Sequence, residues 1–251
     1  MRTVLPIGDM HCGHKIGLTP PKWQYHPEWK KDQNKLWKYF NDGLDKVGAV
    51  DTLIINGDCI DGNGYRAGGI ENVTVDWDEM CEMAIDVINH INPKQVFMTY
   101  GTPSHVCNNG TQEEAKIAKA VGASIKGHLF LDVDGVVFDV KHKIGSSGIP
   151  HGRTSALMKA MLWNQRQAQE GVQPRADVLL RSHVHYHVYC GDQDTLAMTL
   201  PALQEKGSKY GEEQCEGIVD YGLVWFEVDN GSYTWEAHST RKQLNDKLLR
   251  G

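Results

Sequence analysis

The carboxylates and imidazoles of this chain gather at the ends of short apolar runs. In "DVLLRSHVHYHVYC" (177–190) the run Val178-Leu179-Leu180 gives way to His183, His185 and His187, three positions in five in a chain with 12 histidines among 251 residues. Asp9 and His11 follow "TVLPIG", and Asp58 and Asp61 follow "DTLIING". His105 follows "QVFMTYG", and His142 follows "VVFDVK". Ligands of open α/β sheets bind where the carboxyl ends of strands bring several loops together. These runs would therefore deliver Asp9, His11, Asp58, His105, His142, His183 and His185 to one place. Carboxylate and imidazole donors without thiolate suit divalent ions such as Mn, Fe, Zn, Co or Ni. The set is too large for one tetrahedral ion and fits a pair of ions sharing a carboxylate. Each fragment (D-x-H, G-D, H-x-H) is common alone; their joint occurrence in order carries the reading.

Alternating elements must position these residues. Strands are expected at 3–8, 51–57 and 95–101. Helices are expected at 28–47, where Trp29, Leu36, Trp37, Phe40, Leu44 and Val47 share a helical face, at 76–91 with acids in its first turn, and at 111–122 with Thr111 as cap. The second half turns to hairpins, at Asp134-Gly135 and Asn230-Gly231, around one helix at about 153–170. This change predicts two sheets packed face to face with helices outside, in one domain over 1–251. Residues 61–75 form a glycine-rich loop that would overhang a site, and "RKQLNDKLLR" (241–250) reads as a surface helix.

Composition narrows the class. No 18-residue apolar run predicts a membrane span, and Asp9 stands too early for a secretory signal, so the cytoplasm is the expectation. Six cysteines without a C-x-x-C pair read as reduced, packed thiols. A net charge of −6 disfavours coating a duplex by charge alone. It leaves a nucleic-acid enzyme open, because bound divalent cations reverse the local sign.

The motif order resembles that of the calcineurin-like metallophosphoesterases, D-x-H, G-D-x-x-D, G-N-H, H and G-H-x-H. Here it stands as Asp9-Met10-His11, Gly57-Asp58-Cys59-Ile60-Asp61, Gly101-Thr102-Pro103-Ser104-His105, His142 and Ser182-His183-Val184-His185. The resemblance covers residues 4 to about 190, and the G-T-x-x-H form is similar to phage and prophage variants. It implies an α/β fold, a four-layer α-β-β-α sandwich of two mixed sheets flanked by helices. It also implies two divalent ions, with Mn²⁺ foremost. One would be held by Asp9, His11 and His185, and a second by His142 and His183, with Asp58 bridging. His105 would assist the leaving group as a water shared by the ions attacks phosphorus. His187 matches no ligand of the family and reads as structural.

Thr102 stands where the family has a metal-binding asparagine. Three readings follow: Thr102 or Ser104 ligates, Asn108 or Asn109 folds back, or the second ion is held by three residues alone. The family's protein phosphatases carry an arginine at the position of Gly62. Without that bidentate clamp on a dianion, a phosphodiester of nucleic acid or a nucleotide is favoured over a phosphomonoester. Arg66 and Arg153 are candidate phosphate contacts, with Thr102 and Ser104. Trp23, Tyr25, Trp29 and Tyr65 are candidate base-stacking residues or loop anchors. An impaired member acting as a protein scaffold is the alternative in kind. A metallo-β-lactamase-like hydrolase is excluded, because the His183–Val188 run lacks the aspartate of H-x-H-x-D-H.

Overall fold

The computed structural model describes residues 1–63, 69–208 and 217–241. β1 (Arg2–Ile7) leads through α1 (Pro27–Val47) to β2 (Thr52–Asn56), and α2 (Trp77–Ile91) leads to β3 (Gln95–Thr99). A short α3 (Pro103–Val106) and a ribbon of β4 (Cys107–Asn108) and β5 (Thr111–Gln112) precede α4 (Glu113–Ala120) and β6 (Ser124–Lys126). The hairpin of β7 (Leu129–Val133) and β8 (Val136–Val140) is followed by α5 (Ser155–Gln169) and β9 (Val178–Arg181). Next come β10 (Tyr189–Gly191), β11 (Leu196–Thr199) and the long hairpin of β12 (Tyr221–Asp229) and β13 (Ser232–Thr240).

The strands form two mixed sheets. The first has order β13-β12-β1-β2-β3-β6 and the second β10-β11-β9-β8-β7. Parallel pairing joins β1, β2, β3 and β6 in the first sheet and β8, β9 and β11 in the second. Successive strand residues face opposite ways, so each run serves two cores. Leu5, Ile7, Leu53 and Ile55 pack outward beneath Leu36 and Phe40 of α1 and Met83, Ala84 and Val87 of α2. Val4 and Ile54 face inward, meeting Phe138, Val178, Leu180 and Phe226 between the sheets. Leu179 and Ala197 face out again, under Leu157 of α5. The layers are therefore helix, sheet, sheet, helix, and the four-layer α/β expectation holds. Burying such a Leu, Ile or Phe is worth about 1.5–3 kcal/mol.

Local signals behave as their chemistry requires, with exceptions. The Asp76 side chain caps α2 by accepting from the backbone N–H of Asp78 and Glu79, and Asn92 closes it in the left-handed region. Thr111 does not cap α4: it pairs in the ribbon, and its hydroxyl donates to the Asn108 carbonyl, so the helix starts at Glu113. α5 begins at Ser155, after a tight turn at Pro150–Gly152. Residues 182–188 are irregular rather than strand. The expected helix at 241–250 lies outside the described residues beyond Arg241. No helix among them is long and apolar enough to cross a membrane.

Candidate metal centre

The carboxyl ends of β1, β2, β3, β8 and β9 meet where the two sheets abut. The Asp9 carboxylate accepts from the His183 N–H (3.0 Å), and the Ser182 N–H donates to the His142 carbonyl (2.8 Å), lacing the strand ends together. The chain turns sharply there. Asp9, His11, Asp58, His183 and His185 all have φ between +44° and +76°. That region costs an L-residue on the order of 1–2 kcal/mol, and such strain gathers at functional sites. Elsewhere among the described residues, non-glycine positive φ occurs only at Asn or Asp. Gly101 leaves room for the arrangement: a Cβ there would stand 2.2 Å from the Asp58 carboxylate.

Three donor groups result among the described residues; one, His11–Asp61–His105, shares His11 with its neighbour, and the other two are made of the expected ligands. Asp9, His11 and His185 form one and Asp58, His142 and His183 the other, with the ligand atoms of each within 4.8 Å of one another. In the first, His11 Nε2 and His185 Nε2 are 3.2 Å apart, and His185 Nε2 is 3.5 Å from Asp9 Oδ1. In the second, His142 Nε2 is 3.0 Å from Asp58 Oδ2. The Thr102 hydroxyl lies 3.2 Å from His142 Nε2 and 3.1 Å from His183 Nδ1, and the Thr102 N–H donates to Asp58 Oδ1 (2.6 Å). Thr102 thus adds a fourth donor, a hydroxyl oxygen, beside the second group.

The rings are aimed by contacts on their far nitrogens. His11 Nδ1 is held by Asp61 (2.8 Å), and His142 Nδ1 donates to the Asn56 carbonyl (2.7 Å), so each turns Nε2 toward its group. Such outer partners fix ring orientation and basicity in metal sites. Burial opposes charge on Asp9 and Asp58, yet the imidazoles of His185 and His142 hold both carboxyls below the usual range. Burial likewise pushes His11 and His183 down, toward the neutral form that binds metal. Buried donors of this type, oriented before any ion arrives, fit two divalent cations. Burial pushes the Cys12 and Cys59 thiols up, so neither offers a thiolate.

In layers and ligand order the chain resembles the calcineurin-like metallophosphoesterases. Neither a protein-family model nor a curated protein sequence matches it. Among solved structures, Vps29 from Chaetomium thermophilum is 10% identical with a TM-score of 0.48, over 96% of this chain and 97% of that one. A novel archaeal phosphodiesterase is 14% identical with a TM-score of 0.45, over 94% and 99%. Vps29 from Entamoeba histolytica complexed with Zn²⁺ is 13% identical with a TM-score of 0.41, over 94% and 98%. At these values the likeness bears on neither activity nor metal.

Around this metallophosphoesterase-like centre the other candidates sort themselves. His105, on α3, packs edge-on against His11 at a centroid distance of 4.8 Å and points Nδ1 at the Asp61 carbonyl (3.1 Å). Burial disfavours its charge, but Asp61 and Asp58 outweigh that and push it up to about 9. Ser104 is exposed on α3. Asn108 and Asn109 do not fold back; they build the ribbon and its turn. Arg153 lies over the Tyr186 ring (4.4 Å), with its buried Nε unpartnered. Arg66 and Tyr65 lie outside the described residues. His187 leaves the centre, donating from Nδ1 to the Thr199 carbonyl and from its backbone to Asp220. Trp23 and Trp29 pack on the core, while Tyr25 and His26 hold the Val73 carbonyl. With the Lys15 N–H donating to Glu71 and the Val73 N–H to Gly13, they strap the described part of the 61–75 loop down.

Two neighbours of the site were given no role by the sequence: Asp61, named there only as part of a motif, and Glu114. Asp61 orients both His11 and His105; the second aspartate of G-D-x-x-D is its signal. Glu114 is fully buried, and its carboxylate accepts from the Cys59 N–H (3.0 Å) and the Gly101 N–H (2.7 Å), tying the Asp58 loop to the Thr102 loop. Burial, then Asp58, raises its pKa to about 7. An acid in a helix's first turn carries no mark of such a task.

Proposed function

We propose that this chain is a dinuclear-metal phosphodiesterase acting on nucleic acid or nucleotides, with Mn²⁺ as the preferred ion. The observation that carries the reading is the pair of adjoining ligand groups, Asp9–His11–His185 and Asp58–His142–His183, each oriented from outside by a hydrogen-bond partner. Asp58 would serve both ions and Thr102 the second. A bound pair of divalent ions supplies a water of lowered pKa and neutralises charge on the phosphoryl oxygens.

The chain's own residues supply the rest. His105 bonds Asp61 through Nδ1 and, with its raised pKa, holds a proton on Nε2 at neutral pH. From there it donates to the departing oxygen, a role worth 10²–10⁴-fold. Asp61 positions His105 and His11 together. Gly62 and the stacked Arg153 leave no arginine clamp for a dianion among the described residues. That favours the singly charged diester over a monoester.

The test is to titrate the metal-stripped protein with Mn²⁺ while following bis-p-nitrophenyl phosphate and p-nitrophenyl phosphate. Two ions bound, with the diester cut faster, is the expected result. One ion or none, with neither ester cut, would sink the enzyme reading in favour of a scaffold.

A further inference from the structure

Beside the second ligand group is a cavity of about 100 Å³ lined by Tyr100, Thr102, Pro103, Lys141, His142 and Lys143. Lys141 and Lys143 are exposed on either side of buried His142. Some lysines elsewhere neutralise acids, as Lys15 does Glu71 and Lys116 does Glu113, while others such as Lys30 and Lys119 stand on open surface without one; what sets Lys141 and Lys143 apart is that they line this cavity beside His142. Among the described residues no carboxylate pairs with Lys141 or Lys143, although acids outnumber bases 32 to 26. Two solvated cations thus rim a concavity that opens onto a buried ligand.

The backbone fixes their place. The Lys141 N–H donates to the Leu180 carbonyl of β9, and the Lys141 carbonyl accepts from the Asn56 side chain of β2. The Lys141 backbone is therefore held at the junction of the sheets that carries His142, and Lys143 follows on the far side of that histidine, whose carbonyl is itself held by the Ser182 N–H.

We propose that Lys141 and Lys143 form a subsite for a second phosphate of the substrate, one linkage from the scissile ester. This inference rests on the phosphodiesterase reading and narrows it to substrates with neighbouring phosphates. A lone diester would leave both ammonium groups idle. Such a phosphate belongs either to the next residue of an oligonucleotide strand or to a nucleoside diphosphate, and both present it as a compact anion to flexible point charges.

The experiment measures binding by calorimetry at low salt, without added metal so that nothing is turned over. The probes are the thymidine dinucleotide with and without a 5′-phosphate, and thymidine 5′-diphosphate against the monophosphate. The probe with the extra phosphate should bind several-fold tighter, and its affinity should fall more steeply with salt, by about 0.7 in log–log slope per phosphate held. Preference within the dinucleotide pair assigns a strand; preference within the mononucleotide pair assigns a nucleoside diphosphate. A Lys141→Met/Lys143→Met double variant should bring the ratio to about one, with each single variant between. Equal binding within both pairs, or a preference that survives the double variant, overturns the subsite. Turnover of bis-p-nitrophenyl phosphate with Mn²⁺, which offers no second phosphate, tests the parent reading separately. No turnover with the binding preference intact overturns that reading and supports the subsite. Turnover with equal binding does the reverse.

Discussion

The two ligand groups are built from the same residue types but are braced differently. In the first, His11 is braced by a carboxylate, Asp61, and the group takes its own carboxylate from Asp9. In the second, His142 is braced by the neutral Asn56 carbonyl, and the added donor is the Thr102 hydroxyl. A neutral hydroxyl is a weaker ligand than an amide oxygen. If the proposed function holds, the difference makes the first group the tight half of the centre and the second the loose half, whose occupancy would limit activity.

Removing a donor should have the largest effect. Asp58→Asn is expected to abolish diester turnover with Mn²⁺ and reduce the ions bound from two to one or none, read by metal analysis of the dialysed protein. His105→Ala comes next, with a loss of about 10²–10⁴-fold on an alkyl leaving group. The loss should shrink on p-nitrophenyl esters, whose leaving group needs no proton; equal losses on both would remove His105 from the role of acid.

The comparison is sharpened by Asp61→Asn and Thr102→Asn. The first weakens the braced half and should cost about 10–100-fold in affinity or activity. The second restores an amide and should tighten the second ion by about tenfold, seen as activation at lower Mn²⁺ with the first ion unchanged. If Thr102→Asn leaves the second affinity where it was, the loose half has another cause.

The smallest effect concerns pH. Burial works against a charged His142, but Asp58 outweighs it and pushes the imidazole up to about 9 in the metal-free protein. A folded pKa above the unfolded value near 6.5 gives stability that is complete below 6.5 and lost as pH rises to about 9. Thermal melts of metal-stripped protein should show that loss, and His142→Asn should flatten it. The second ion should bind more tightly over the same interval, as His142 sheds its proton.

Much of this was legible in the sequence because strand runs declare themselves by length and by the polar residue that ends them. Val4 and Leu5 face different layers, and only the β period is needed to say so. Position at strand ends marked seven candidates, Asp9, His11, Asp58, His105, His142, His183 and His185, and the resemblance implied which six of them would hold metal. What stayed hidden depended on folding at a distance. Nothing local distinguishes Glu114, which reaches back to Cys59 and Gly101, from a first-turn acid serving a helix dipole. Thr111 looked like a cap because the ribbon that claims it has strands of two residues, although Asn109-Gly110 does carry the turn signal. Lys141 and Lys143 carry no local mark in the sequence; only the folded sheets bring His142, Thr102 and Tyr100 beside them.

The left-handed backbone at five of the six candidate ligands restricts the alphabet from which this site can be rebuilt. Asn, Asp and His are the non-glycine residues most at home there, so backbone chirality and metal chemistry select the same side chains. Glutamate, an adequate ligand by its oxygens, would be rejected at Asp9 or Asp58 on conformational grounds, and the β-branched residues more firmly still. Exchanges between Asp, Asn and His therefore alter the donor while leaving the turn intact, which makes them the clean instruments for dissecting each half. The same filter defines the donor sets open to this site: those reached through swaps within that trio, one strand end at a time.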